Sequence, residues 1–548
     1  MFWFLHTALL VPVLAAVVTP ALRLDAVRAA RLAVAAAAIA VIAGVVTLVA
    51  VGVDGPIDAV ITDGDGAAIL GVVADRVGAI LLVLTGVVGL IVQSFASRSL
   101  LGDPRARRFH VLAGVLVTST MVVAVSATAT GLLVGWVLTS LTLVALLGHK
   151  APWRPALESQ RLTLRSFAIG DIALVLAVIV GLVAVGDLDM RSVGATAASL
   201  DAESIASVSA LTIVAVLLVI AGIARSALIP IHRWLPSTLA APTPVSALLH
   251  AGVVNGAGVL LIRFSPIYAS SVSAMTLAFV FGLLTALVAT AVMLVRTDVK
   301  GALVWSTSGQ MGFMVLQLGV GAFAAALFHI AGHALYKAAM FLGAGGAISA
   351  HTRQTRRPHL GAADRGKLTT VTARLVMGLL LPLAAFEVAL LTIDPHLTAA
   401  ATILIVVFGT LSVGRAANGW MAAAPFGLAR TIASSALGVF VLAFAYIGGL
   451  ALFEAFVVDA VPYEVPAAVG PVWVAGVLGA LAALVGVVVF LPGANGADLR
   501  RRVYGWLVST GASGSRPIAD PSFGADRQAD DAIVTDRTDE LATTGGRP

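Results

Sequence analysis

Apolar runs long enough to cross a bilayer as a helix recur along almost the whole chain. A bilayer core about 30 Å thick needs about 20 consecutive apolar residues at about 1.5 Å of rise each. Runs of that kind lie near 3–22, 30–53, 74–97, 109–128, 130–148, 163–186, 205–229, 243–263, 270–295, 301–319, 321–346, 370–393, 398–414, 430–456 and 468–492. The split between 109–128 and 130–148 rests on the shortest link. The chain has 548 residues, 59% of them apolar and only 11% charged. Soluble domains sit near a quarter charged, so a water-facing surface of this size could not be covered. The expected fold class is an all-α polytopic membrane protein of about 14–15 spans. The first run has no basic segment before it and reads as a span, not as a leader peptide. With no cysteine, disulfides and thiolate-ligated metal or iron–sulfur sites are excluded within this chain.

The loops give an independent check. Of the 34 Lys and Arg residues, all but Arg76, Arg191, Arg263, Arg225 and Lys337 fall in loops that follow odd-numbered runs, or beyond the last run. Loops after even-numbered runs are acidic or uncharged, with Asp54, Asp58, Asp63, Asp65, Asp187, Asp189, Asp201 and Glu203. By the positive-inside rule the N-terminus is expected outside the cell and the C-terminus in the cytoplasm of a multi-pass plasma (inner) membrane protein. The net charge of +6 is then loop charge, and no nucleic-acid partner is expected. The stretch 496–548 reads as a polar cytoplasmic tail, disordered over its Gly-, Ser-, Asp- and Thr-rich part.

Ionisable groups inside spans are costly and mark function. His329, His333 and Lys337 stand at i, i+4 and i+8, so they share one face of a helix. Imidazole titrates near neutral pH, and a lysine held out of water can release its proton, so the row suits proton carriage. Two blander readings stay open: polar glue between helices, and a His-x3-His metal site, which lacks a nearby carboxylate. Arg225 sits in an apolar run, with Pro230 placed to break the helix and His250 inside the next run. Asp171 could pair with Arg225, and Glu387 could serve as the exit carboxylate of a second half. Glu454 reads as interfacial. Gln310, Ser306 and Thr307 could hold water or join helices, and Asp298 with Lys300 reads as a structural cap or ion pair in a cytoplasmic loop. No P-loop, dinucleotide fingerprint, nucleophile elbow or haem motif is present.

Over 205–350 the motifs match a known pattern. They are Ser226-Ala-Leu-Ile-Pro-Ile-His-Arg-Trp-Leu-Pro, Pro242-Thr-Pro-Val-Ser-Ala-Leu-Leu-His250-Ala-Gly, Thr297-Asp-Val-Lys300, Trp305-Ser-Thr-Ser-Gly-Gln-Met-Gly312 and His329-x3-His333-x3-Lys337. They resemble the antiporter-like subunits of respiratory complex I and of Mrp-type cation/proton antiporters. Leu235-Pro-Ser-Thr-Leu239, His250 through Phe264, and Arg154-Pro155, Arg165-Ser166 and Gly170-Asp171 are most similar to the DabB-type membrane subunits of two-component inorganic-carbon systems.

That resemblance implies two inverted five-helix repeats with broken helices. The division it suggests is 1–108 for the first spans, 109–264 and 265–414 for the repeats, 415–495 for the last spans and 496–548 for the tail. With the last apolar run near 492, the long lateral helix and final span of the largest complex I subunit of this type are not expected. The implied function is conduction of H+, or Na+, coupled to inorganic carbon (CO2/bicarbonate) accumulation. The implied ion path runs through Arg225, His250, His329, His333 and Lys337. The implied partner is a DabA-like zinc-containing cytoplasmic subunit, with no cofactor or metal in this chain. The alternative is a subunit of a complex I-like or hydrogenase-like pump, or an Mrp-type antiporter. One departure matters. These relatives carry a Glu after the Trp of span five, where this chain has Trp136-Val137, and a Lys where it has Arg225. A guanidinium does not release its proton readily, so the first half-channel must differ.

Overall fold

The computed structural model describes residues 1–62, 68–151, 153–185, 205–355, 375–423, 428–460 and 470–512. The acidic positions Asp63, Asp65, Asp187, Asp189, Asp201 and Glu203, the cations Arg191, Arg356, Arg357, Arg365, Lys367 and Arg374, and the tail beyond 512 lie outside them.

The helices follow the apolar runs: α1 (Phe2–Ala21), α2 (Ala26–Asp54), α3 (Arg76–Ser99), α4 (Ala106–Val125), α5 (Ala129–Leu147), α6 (Arg154–Val185), α7 (Ile205–Arg225), α8 (Thr243–Ala251) and α9 (Gly256–Arg263). After these come α10 (Val272–Val295), α11 (Val299–Gly319), α12 (Phe323–Thr355), α13 (Leu381–Ile393, led by a π turn at Val376–Leu380), α14 (Ala399–Ala423), α15 (Leu428–Val457), α16 (Pro471–Phe490) and α17 (Gly493–Ala512). Thirteen segments are long and apolar enough to cross a membrane, α8 and α9 together forming one of them. The other two runs are α7, whose apolar part Ser209–Arg225 is shorter, and α11, which carries Ser306, Thr307, Ser308 and Gln310. The chain is thus a helical, multi-pass membrane protein.

Several acidic and hydroxyl residues at the run edges turn out to be helix caps. Asp25 accepts the Arg28 N–H at 2.8 Å, Asp75 that of Gly78 at 2.6 Å, Thr128 that of Gly131 at 3.1 Å and Asp298 that of Gly301 at 2.6 Å. Such a cap satisfies an orphan donor of the first turn and contributes about 1 kcal/mol. The Thr128 cap confirms that α4 and α5 are separate helices despite their short link.

The structure adds one element to the sequence reading and corrects another. In the acidic loop after α2, β1 (Ile57–Thr62) and β2 (Ala68–Ala74) form an antiparallel hairpin, pairing Ile57 with Ala74 and Val60 with Gly71. A bridge between Val72 and Ser126 ties the hairpin to the α4–α5 link. The stretch 496–512 is not an unstructured tail but most of α17. Its charged residues Asp498, Arg500, Arg501 and Arg502 suppress an apolar-run signal, while Asp498 holds Arg502 one turn on at 2.6 Å.

Two large apolar cores form among the described residues, beside a small cluster of Ala289, Val292 and Trp305. The larger runs from α1 to α12, with Phe109, Trp136, Phe167, Trp234 and Phe323 among its buried side chains. The smaller joins Phe279 and Leu283 of α10, Leu316 of α11 and Ala325 of α12 to α13–α15 through Phe386, Leu404 and Ile447. Close contact between α10 and α11 depends on Gly312, where a Cβ would lie 2.5 Å from the Ala286 backbone N.

Candidate functional site

The run 205–229 stops being helical at Arg225, before Pro230. The chain turns at Ser226 and Ala227, whose φ of 53° is in the left-handed region, and Pro230 lies in the turn that follows. The break has its own polar partners. The Trp234 indole N–H donates to the Ala224 carbonyl at 3.0 Å, the Ala257 N–H donates to Ser226 Oγ at 2.9 Å, and the Ile229 N–H donates to Thr285 Oγ1 at 3.0 Å. Inside a membrane every such group needs a protein partner or a water-filled cavity, and here these three find protein partners.

Arg225 is 2% exposed. Its Nη2 donates to the Trp136 carbonyl at 3.0 Å, to Ser140 Oγ at 2.7 Å and to Asp171 Oδ1 at 3.1 Å. The guanidinium lies 4.1 Å from the Trp136 ring centre and 4.5 Å from that of Phe167. Ser140 Oγ also donates to Asp171 Oδ1 at 3.1 Å, closing the cluster. A planar, permanently charged group held through Nη2 by three acceptors and against two aromatic faces is a fixed cation, not a proton carrier. Its Nε is buried without a partner. Arg225 also lines a cavity of about 60 Å³, together with Thr85, Thr120, Thr139 and Asn255. A buried water needs at least about 10–15 Å³ and polar partners, so several waters fit.

The row on α12 is also present. His333 is buried between two acceptors: its Nδ1 is 2.7 Å from Gln310 Oε1 and its Nε2 is 3.2 Å from the His250 carbonyl. A neutral imidazole has one N–H, so both contacts are met at once only by imidazolium or by a turned Gln310 amide. The His329 ring stacks on it at 5.8 Å, with Nε2 buried and unpartnered. Lys337 is 1% exposed and its Nζ donates to Ser306 Oγ at 2.5 Å, with the Leu303 carbonyl at 3.5 Å. Neither is a counter-charge. His250 packs its ring flat on Phe341, 4.2 Å between centres, and both of its ring nitrogens are buried without a partner. One turn back on α11 from Leu303, Lys300 Nζ donates to the Leu239 and Ala241 carbonyls at 2.8 and 2.9 Å. It caps the turn after the break, while Asp298 pairs with Arg296.

Arg225 and Asp171 are thus together, and His250, His333, His329 and Lys337 are together. Glu387 joins neither group: it lies exposed on the outer face of α13 beside Val388 and Leu391. Among the described residues no three His, Asp or Glu side chains are placed to hold a metal ion. Sequence reasoning left the partners of Arg225 incomplete, since Ser140, Phe167 and the Trp136 carbonyl carry no signal of their own in an apolar run.

Comparison with known proteins identifies the family. The membrane subunit DabB1 of a probable inorganic carbon transporter from Halothiobacillus neapolitanus is 34% identical over 285 residues, 52% of this chain and 51% of that protein. The corresponding DabB of Bacillus subtilis is 34% identical over 271 residues, 49% of this chain and 52% of that protein. NAD(P)H-quinone oxidoreductase chain 5 of Synechocystis sp. is 31% identical over 281 residues, covering 51% and 41%. The chain spans about half the length of the curated relatives it matches. Among solved structures, the Mrp complex from Dietzia sp. superposes with a TM-score of 0.55 at 21% identity, over 99% of this chain and 63% of that one. The archaeal membrane-bound sulfane sulfur reductase does so at 0.55 and 17%, over 93% and 97%, and both likenesses concern the fold alone. The family model described as NADH:quinone oxidoreductase/Mrp antiporter, TM, matches residues 126–414, more than half of the chain and all of the polar row, and the chain belongs to that family.

Proposed function

We propose that the chain is a proton-conducting membrane subunit of an inorganic-carbon accumulation complex. The observation that carries the conduction is the row of half-buried His329 and buried His333 and Lys337, with Gln310 and Ser306 facing it and, among the described residues, no acidic partner on Lys337. An ammonium without a carboxylate partner in an apolar interior is held at a cost that favours handing its proton on. His333 between two acceptors is the relay group, with His329 and Lys337 at its two ends. The likeness to the DabB proteins supports inorganic carbon as the process served. It also supports a cytoplasmic DabA-like zinc subunit as the partner, in which CO2 would be hydrated while protons move through this chain. The charge asymmetry of the loops supports an N-terminus outside and a C-terminus inside. The break at Arg225 and the interruption between α8 and α9 support broken helices within 109–264, the first of the two inverted repeats proposed at 109–264 and 265–414.

The test is Lys337→Ala in cells that depend on the complex for growth in air. Bicarbonate accumulation should be lost while the partner still co-purifies. Full accumulation in that variant removes the relay from the account. Co-purification of quinone-oxidoreductase subunits, or of a string of small membrane subunits, would replace the carbon assignment with one of the alternatives.

A further inference from the structure

One buried carboxylate lies outside the row. Glu454 is 5% exposed, one turn from the end of α15. Its Oε2 accepts the backbone N–H of His396 at 3.1 Å. It borders a cavity of about 30 Å³ with His396, Thr398, Gly321 and Ala325. That is room for one or two waters. Polar walls come from the loop before α14, where Thr398 Oγ1 accepts the Ala401 N–H at 3.2 Å, and from the glycine turn at Gly321, whose φ is +77°. His396 is the titratable side chain that the neighbouring elements contribute to this cavity among its lining residues.

The cavity ends one helical turn from the free end of the row. Ala325, on its wall, precedes His329 by one helical turn on the same face of α12. Phe328, beside His329, packs on Phe453, beside Glu454, with 5.6 Å between ring centres. His329 Nε2, the last nitrogen of the row on this side, is buried without a partner. The same end of the molecule carries the β-hairpin, since Arg76 at the start of α3 donates to the Phe456 carbonyl at 3.1 Å. Lys337 lies at the other end of the row.

We propose that Glu454 is the proton mouth of the row at the hairpin end. Its carboxylate takes up a proton as COOH and passes it through cavity water to His329, which becomes imidazolium, and the carboxylate is restored. This rests on the proton-conducting reading above and adds a named terminus to it.

The experiment is proton flux into proteoliposomes of the purified full chain with its co-purifying partner, comparing Glu454→Gln, Glu454→Asp, Lys337→Ala and wild type. Glutamine keeps the acceptor for the His396 N–H but cannot carry a proton. Aspartate keeps the proton but reaches less far toward His396. A proton mouth predicts at least a tenfold loss in Glu454→Gln and substantial flux in Glu454→Asp. A role confined to holding the loop predicts the reverse order, and that result, or wild-type flux in both, overturns the proposal. If Lys337→Ala is silent while Glu454→Gln conducts like wild type, the row stands and the mouth is elsewhere. If wild type itself does not conduct, both readings fall.

Discussion

Gly256→Ala tests how firmly Arg225 is fixed. Gly256 opens α9 with φ −54° and ψ −36°, an ordinary helical conformation that alanine adopts freely. Were the glycine there only by chance, alanine would stabilise the helix by up to about 1 kcal/mol. The structure argues for the opposite sign. A Cβ at 256 would lie 2.4 Å from Arg225 Cγ and 3.2 Å from Trp136 Cη2. The Arg225 stem cannot swing away cheaply, because its head is tied to Trp136, Ser140 and Asp171 and sits against the Trp136 and Phe167 rings. Overpacking of this kind costs about 1–3 kcal/mol, which outweighs the propensity gain. The unfolding midpoint of the detergent-purified chain should therefore fall by a few degrees. In an Arg225→Ala background, with Cγ gone, the same glycine substitution should cost little or nothing, a coupling that a double-mutant cycle reads directly. Equal effects in the two backgrounds, or a more stable Gly256→Ala, would refute a fixed Arg225.

Asp171→Asn leaves the buried guanidinium without its counter-charge while keeping a hydrogen-bond acceptor. It should destabilise the chain by about 2–4 kcal/mol, read by thermal unfolding, because an unpaired buried charge costs more than the pair contributes. Ser306→Ala removes the nearer acceptor of Lys337 Nζ, so it should cost about 1–3 kcal/mol and slow proton flux without abolishing it. In the loop before α4, burial opposes ionisation of Asp103, but the His149 ring and the Arg105 backbone N–H outweigh it and hold the carboxyl below its ordinary 3.8. A carboxyl lowered on folding stabilises above its unfolded value and loses that contribution as pH falls through the folded one. Asp103→Asn should thus cost about 1 kcal/mol at pH 7, and the difference from wild type should close below about pH 4.

The spans were legible because the bilayer imposes one length on every run, and α1–α5 begin and end close to the apolar boundaries, while α6 starts nine residues ahead of its apolar run in a charged turn at Arg154. Arg225, Lys337, His329 and His333 stood out for the same reason, as charge where solvation is absent. What surrounds them did not. The clamp on Arg225 uses a backbone carbonyl, a serine and two aromatic rings, residue types that apolar helices carry everywhere. The Asp171 pairing could be named as a possibility because only a few carboxylates fall within runs. The hairpin went unread because its strands are short and its surroundings rich in Gly and Asp. The helix α17 went unread because its polar face hides the helical period. Glu387 and Glu454 show the limit most clearly. Both are lone glutamates in apolar helices, yet one lies on an exposed outer face and the other beside a buried cavity. Only the packing of α13 and α15 separates them.

Proton conduction through the α12 row is best tested by pH-gradient-driven dye quenching in proteoliposomes holding wild-type chain or Lys337→Ala at matched density. The account predicts a flux for wild type and a fall to the protein-free leak for Lys337→Ala, with both proteins eluting as the same folded species. Equal flux from the two would contradict it.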